Sequence, residues 1–366
     1  MLEWKNLGDI CEIKTGRGIT QKDCSDNGTF PVISGGVLPL GMYHTYNREA
    51  NTVTISRVGD AGIVSFITER FYLNDKCFSI IPEKNDDINT RFLYFYLKSI
   101  ELEIKKLKSK GGVPTINTQK LSKLDIPVPS LSEQSRIVSI LDTFTDSIDN
   151  LKQQIEQRRK QYEHYRDQLL DLEGKEGVEM KKISDVAKSF TGLTYKPENV
   201  RDCGTLVLRS SNINEDTLSF DDNVFVQMDI PERAVVREND LLICVRNGSK
   251  RLVGKCAMIT KEADGMAFGA FMTILRSFCI NSKYLFYVWQ SQKVKKQYKG
   301  DEAMPIAQII AKDFQRIIIP VPSLEEQSRI VSILDTFEAS IANLEEQLKL
   351  REKQYEYYRN KLLTFN

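Results

Sequence analysis

One segment of this chain is written twice. Ile126-Pro-Val-Pro-Ser-Leu-Ser-Glu-Gln-Ser-Arg-Ile-Val-Ser-Ile-Leu-Asp-Thr-Phe144 returns as Ile319–Phe337, 193 residues later, with a single difference, Ser132 against Glu325. Beyond it the copies diverge but stay in step: Tyr162, Tyr165, Leu169 and Leu170 return as Tyr355, Tyr358, Leu362 and Leu363. A chain so written builds one local structure twice, and the rest of the fold must accommodate both copies.

Each copy reads as a long helix. Pro127 and Pro129 hold the chain extended ahead of it, because proline disfavours helix in the residue before it. Ser130-Leu-Ser-Glu133 and Ser323-Leu-Glu-Glu326 have the form of capping boxes. In the first copy a stripe then runs through Phe144, Ile148, Leu151, Ile155, Arg158, Tyr162, Tyr165 and Leu169. In the second it runs through Phe337, Ile341, Leu344, Leu348, Arg351, Tyr355, Tyr358 and Leu362. Steps of four and three make a coiled-coil seam. Arg158 and Arg351 occupy the same seam position, where a polar residue fixes register at some cost in stability. So narrow a stripe needs a partner, and the simplest is the other copy. A helix of roughly 40 residues spans about 60 Å, a spacer length.

The segments between the copies are variable. The first, residues 1–125, is rich in short β-like runs: Phe30–Gly36, Asn51–Ser56, Gly62–Phe66 and Lys76–Ile81. A helix over about Thr90–Leu107 follows. Residues 126–172 hold the first long helix and 173–178 a glycine-bearing linker. The second variable block, 179–318, repeats the order with strands at Thr205–Arg209, Leu241–Val245, Gly254–Ile259 and Phe268–Leu275. A helix lies near Lys283–Val294, and the second long helix fills 319–366. The two blocks open alike, Leu7-Gly-Asp-Ile against Ile183-Ser-Asp-Val, each run ending in Thr-Gly at Gly16 and Gly192. The expected fold is α+β: two domains with mostly antiparallel strands alternate with two long helices that pair antiparallel, a pseudo-twofold internal repeat.

Composition argues against catalysis. The chain of 366 residues has only two histidines, His44 and His164, and seven cysteines scattered singly, the pattern of buried, reduced thiols and not of a zinc site. Gly248–Cys256 is no P-loop: its glycine spacing is one too long and no Ser/Thr follows Lys255. Gly16-x-Gly18 lacks a third glycine, and H-E-x-x-H and G-x-S-x-G are absent. No apolar run reaches membrane-spanning length and no signal peptide opens the chain. A cytoplasmic binder is the expectation.

The formal charge is +1, so global basicity announces nothing, but its distribution does. Residues 104–124, 241–261 and 265–300 carry lysine and arginine without an acid. Such clusters suit phosphates. Base readout needs polar side chains on loops that can enter a groove. The candidates in the first block are Ser34, Gly35, Gly36, Tyr43, Tyr46, Arg57, Lys108, Lys110, Thr115 and Asn117. In the second they are Arg209, Ser211, Asn212, Arg246, Asn247, Ser249, Lys250, Arg251, Lys296 and Lys299. Arg246–Arg251 is the strongest group, with three cations, an Asn and a Ser in six residues.

Two divergent α+β blocks, each closed by I-P-V-P-S-L-x-E-Q-S-R-I-V-S-I-L-D and a long helix, resemble the specificity subunit of a Type I restriction–modification system over the whole chain. The resemblance implies target-recognition domains that each read half of a split, asymmetric sequence on double-stranded DNA, with the helices as spacers setting the gap. It implies a non-catalytic chain that binds no cofactor and recruits two modification subunits and, through them, restriction subunits. S-adenosylmethionine would then belong to the modification subunit, which usually methylates adenine, and ATP and Mg to the restriction subunit. Arg136 and Arg329 become candidates for the modification-subunit interface. The domain begins almost at Met1 and the second helix runs to the end, so a plain, unpermuted arrangement is expected. The alternative is a coiled-coil protein scaffold without DNA specificity.

Overall fold

The computed structural model describes residues 2–83, 87–109, 113–299 and 308–365, the side chain of Lys299 excepted. The chain forms two compact units. The first is Met1–Gln153 with Glu345–Asn366, and the second is Gln154–Leu344. Each long helix, Leu131–Leu169 and Leu324–Leu363, contributes part of its length to each unit.

Within the first unit a four-stranded antiparallel sheet places Cys11–Thr15, Cys77–Pro82, Thr52–Ser56 and Val64–Ile67 side by side. A smaller sheet joins Met42–Tyr43, Phe30–Ile33 and Tyr72–Leu73, the last pair parallel. The second unit repeats this plan. Its main sheet runs Ala187–Thr191, Met272–Ser277, Leu241–Cys244, Cys256–Met258. Its second sheet runs Val200–Arg201, Phe225–Val226, Thr205–Leu208, Ala267–Phe268, again with a parallel last pair. The expected single strand Phe268–Leu275 is thus two strands in different sheets, because the chain turns at Gly269, whose carbonyl accepts from Met272 N at 2.9 Å. The shared Thr-Gly has a steric reason: a Cβ on Gly16 would lie 2.0 Å from Leu73 O, and one on Gly192 would lie 2.1 Å from Gly269 O.

The proline segments are strands. Asp125–Val128 pairs antiparallel with Glu3–Asn6 in the first unit, and Ile318–Val321 with Glu179–Lys182 in the second. Both proposed domain helices are broken once, into Thr90–Ser99 and Glu101–Lys106, and into Ser282–Gln290 and Gln292–Lys299. Asn89 caps the first, its side chain accepting from the amides of Arg91 and Phe92. Asn281 caps its counterpart in the same way. Alternation of period two decides what each main sheet buries. Val53, Ile55, Phe78 and Ile80 face Phe92, Leu93 and Leu97 in the first unit, together with Ile137 and Leu141 of the first long helix. Leu241, Ile243 and Leu275 face Tyr284, Leu285 and Trp289, with Ile330 and Leu334, in the second.

The motif's glutamine explains why the duplicated segment is shared. Gln134 is fully buried. It accepts from Asn89 N at 2.7 Å and donates to Pro129 O at 2.8 Å and Asp87 O at 3.1 Å. Gln327 accepts from Asn281 N and donates to Pro322 O, both at 2.9 Å. Each glutamine therefore fastens a domain helix to the start of a long helix. The capping boxes are only half formed. Ser130 and Ser323 accept from the amides of Glu133 and Glu326, but those carboxylates turn to Arg136 and Arg329, three residues on.

The seam pairs antiparallel in each unit. In the first, Phe144 stacks on Tyr358 (5.3 Å, 26°), Arg351 lies over Phe144 at 5.7 Å, and Lys152 reaches Glu352 at 3.4 Å. In the second, Tyr165 stacks on Phe337 (5.4 Å, 29°), Arg158 lies over Phe337 at 5.9 Å, and Tyr162 Oη donates to Glu338. Ile148 and Ile155 are buried; Leu151, Tyr162, Leu169, Ile341, Leu344, Leu348, Tyr355 and Leu362 are half-buried. Tyr165 and Tyr358 keep 45% and 40% exposure despite their stacking, so they edge the seam. The stripe skipped Arg166, which is 4% exposed under the ring of Tyr162. Of the seven cysteines, Cys203 and Cys279 are exposed, against the expectation of burial.

Candidate nucleic-acid interface

The candidate loops leave equivalent strands in the two units. In the first unit, Ser34-Gly35-Gly36 follows Phe30–Ile33, and Arg57 follows Thr52–Ser56. A Cβ on Gly35 would lie 1.9 Å from Val58 O, so glycine lets the two loops touch. Val58 in turn bridges Thr115, and Arg57 O accepts from Ile116 N at 3.0 Å. One cluster therefore gathers Gly35, Gly36, Arg57, Thr115 and Asn117. Lys108 stands half-exposed just before it, and Lys110 lies outside the described residues. Tyr43 sits elsewhere: it pairs with Phe30 at the other end of the strand, and Tyr46 packs there too, 5.0 Å from Phe30 under Arg70.

In the second unit, Arg209-Ser-Ser-Asn212 follows Thr205–Leu208, and Arg246–Arg251 follows Leu241–Cys244. Asn247 Nδ2 donates to Ser210 Oγ at 3.0 Å and its Oδ1 accepts from Ser249 N, which joins the loops. Arg246 is exposed, binds Gln308 Oε1 through Nε and Nη2, and lies over the exposed ring of Phe271 at 5.6 Å. Ser211, Ser249, Lys250, Arg251 and Lys296 are exposed. The side chain of Lys299 is outside the description.

Two candidates are corrected. Asn212 is fully buried and clasps its own loop, donating to Ser219 O and Asp222 O and accepting from Arg209 N. Ser34 is 8% exposed and its carbonyl accepts from Cys77 Sγ. Neither side chain is offered to a partner. Asn117 is exposed but spends its Oδ1 capping Thr118–Leu121, and Arg209 pairs with Asp222 at 2.9 Å.

The charge runs are also thinner than they read. Lys105 and Lys106 pair with Glu101 and Glu103, Arg276 with Asp240, Lys283 with Asp335, and Lys293 with Asp171 and Glu173. Those acids lie outside the runs. Sequence reasoning also passed over Val37 and Leu38, 75% and 80% exposed at the tip of the glycine loop, and exposed Lys76, whose Cβ is 3.6 Å from the position a Gly35 Cβ would take. An apolar pair on an exposed loop tip was the missed signal.

No group of three or more His, Cys, Asp or Glu able to hold a metal occurs among the described residues, and no helix there is long and apolar enough to cross a membrane.

Comparisons with known proteins agree on one family. The family model described as Type I restriction modification DNA specificity domain matches residues 1–158 and 175–351. The chain is 29% identical to the specificity subunit of the EcoR124I/EcoR124II Type I restriction enzyme of Escherichia coli, covering 100% of this chain and 94% of that one. It is 26% identical to the putative type I specificity subunit S.MpnORF507P of Mycoplasma pneumoniae, over 98% and 96%. A crystal structure of a Type I restriction–modification S subunit from M. genitalium shares the fold with a TM-score of 0.67 at 18% identity, over 100% of this chain and 97% of that one.

Proposed function

The chain belongs to the family of Type I restriction–modification specificity subunits, and we propose that each of its units reads one half of a split, asymmetric DNA target through the two joined loops at its strand ends. It is the non-catalytic, sequence-specific subunit, and it assembles with modification and restriction subunits. One observation carries the division of labour: the same pair of loops leaves the same pair of strands in both units, yet bears different side chains. A repeated scaffold with unlike loops suits one task done on two different sequences.

In the first half-site the readers are Arg57, Thr115 and the Gly35-Gly36 loop; in the second they are Arg246, Ser249 and Lys250. Arginine suits guanine, whose O6 and N7 it meets with two bonds. Near-neutral charge fits a chain whose partners supply part of the phosphate contact. The complex holds two modification subunits, one per copy of the duplicated segment, with Arg136 and Arg329 at their interfaces. S-adenosylmethionine belongs to those subunits, ATP and Mg to the restriction subunits, and the assembly works in the cytoplasm.

The test is base-resolution mapping of adenine methylation in a host carrying this chain with its modification subunit, against a host lacking only this chain. A split motif that disappears with the chain is expected. Exchange of residues 179–318 for another block should change one half of the motif only. An unchanged map would defeat the reading.

A further inference from the structure

The second unit contains a pocket of about 150 Å³ whose lining includes Arg251, Lys255, Gln290, Lys295, Tyr298 and Asp216. Gln290 and Tyr298 are 3% and 2% exposed. Gln290 Nε2 and Tyr298 Oη have no hydrogen-bond partner among the described residues. Buried polar groups are normally satisfied, and leaving one without a partner is costly. Both atoms can donate, and among the described lining residues Arg251, Lys255 and Lys295 stand with them, as does the carboxylate of Asp216.

The first unit shows what belongs in such a place. In both units a glycine with positive φ, Gly62 or Gly254, precedes the edge strand of the main sheet, and the broken domain helix packs against it. In the first unit Glu101 lies there. Its carboxylate accepts from Val64 N at 3.1 Å, from Lys98 at 2.5 Å and from Lys105 at 2.6 Å. Burial alone would push that carboxyl up, but Lys105, Lys98 and the Val64 amide outweigh it and hold it below the ordinary value. The corresponding helix of the second unit, Gln292–Lys299, carries no acid at all. The helix donors remain without an acid of their own, and the one described carboxylate in the lining, Asp216, comes from the turn between Ile213–Asn214 and Thr217–Leu218 and is outnumbered by the cations.

We propose that this pocket of the second unit binds a phosphate group, with Gln290 Nε2 and Tyr298 Oη donating from its floor and Arg251, Lys255 and Lys295 supplying charge. Arginine and lysine are the usual phosphate ligands, and charge-assisted bonds to them are the strong ones. At about 30 Å³ per water the cavity has room for a group of five heavy atoms. The inference goes beyond the reading above, because a phosphate could come from the DNA backbone or from solution.

The experiment titrates inorganic phosphate into the full chain, followed by calorimetry and by ³¹P line broadening, with chloride at matched ionic strength as control. Saturable binding is expected. It should weaken at least tenfold in the double variant Arg251→Gln, Lys255→Gln, whose side chains face solvent or are half-exposed. It should weaken several-fold in Tyr298→Phe, which removes one oxygen and keeps the ring that stacks on Trp289 at 4.8 Å. Displacement of phosphate by a duplex bearing the methylated motif would assign the site to a backbone phosphate; retention of phosphate beside bound duplex would assign it to a free one. Absence of saturable binding, or equal binding by wild type and both variants, would overturn the proposal. The methylation map is read separately, so neither result stands in for the other.

Discussion

The outer faces of the two main sheets are built from opposite materials. In the first unit the residues pointing away from the helices are Thr54, Ser56, Cys77 and Ser79, all buried. Arg48 reaches in, its Nε donating to Ser79 Oγ at 2.8 Å, and Ser79 donates onward to Lys14 O. The matching positions in the second unit are Leu242, Cys244, Met272 and Ile274, in an apolar cluster with Val207, Leu208 and Phe268. The first unit's own apolar cluster there is small, centred on Phe71, Leu73 and Cys77. By contrast the helix-facing sides match in kind, Val53 and Ile55 answering Leu241 and Ile243. The lesson is that the layer fastened to the long helices is held constant, while the layer carrying the loops can be secured by hydrogen bonds or by hydrophobic burial.

The comparison can be broken most severely at what the units share. Replacing Ile148 and Ile341 together with Asp places a carboxylate in each half of the seam, at about 3–5 kcal/mol for the buried Ile148 and less for the half-buried Ile341. Loss of complex formation with the modification subunit, seen by size-exclusion chromatography, is the expected result. A normally assembled double variant would refute the seam.

Ile274→Ser next gives the second unit the first unit's residue without its arginine. It should cost about 3–4 kcal/mol, read as faster hydrogen exchange in the second unit's main sheet. The first unit's sheet should exchange as before.

Gln134→Ala and Gln327→Ala should be nearly equal, about 2 kcal/mol each, since both cut a helix cap from a long helix. A large inequality between them in denaturation would show that the two clamps are not equivalent.

The smallest effect is the one that depends on pH. The Glu101 carboxyl is held below its ordinary value, so its stabilisation is complete above that value and disappears as pH falls through the lowered one. Glu101→Gln should therefore cost about 1–2 kcal/mol near neutrality. The difference from wild type should shrink as the medium is acidified past the carboxylate range. At the matching place in the second unit the carboxyl is that of Asp216, which burial pushes up and not down, so its contribution has the opposite sign.

Much of this was legible from local pattern. The 4-3 stepping located the seam, and its odd arginine found a defined place over a phenylalanine ring, because side chains three and four apart on a helix share a face whatever lies around them. The unexpected features depend on residues far along the chain. Nothing near Lys283 or Arg276 announces that Asp335 and Asp240 will neutralise them. Asn212 reads as a loop donor until Ser219 and Asp222 close around it. The capping boxes failed through a local competitor, Arg136 or Arg329 three residues beyond the glutamate. The apolar tip at Val37 and Leu38 was visible in the sequence, but a search for polar readers had no place for it.

The seam has one further property. Phe144 meets Tyr358 and Arg351, and Phe337 meets Tyr165 and Arg158. Each helix thus carries both the ring that is covered and the residues that cover it. The rings alone would accept a replica of the same helix, but the charge beside them would not: Lys152 meets Glu352, and in a pair of first helices the residue at that place would be Arg159. The aromatic seam is thus self-complementary, and it is the flanking charge, basic on one helix and acidic on the other, that makes the pairing heterologous.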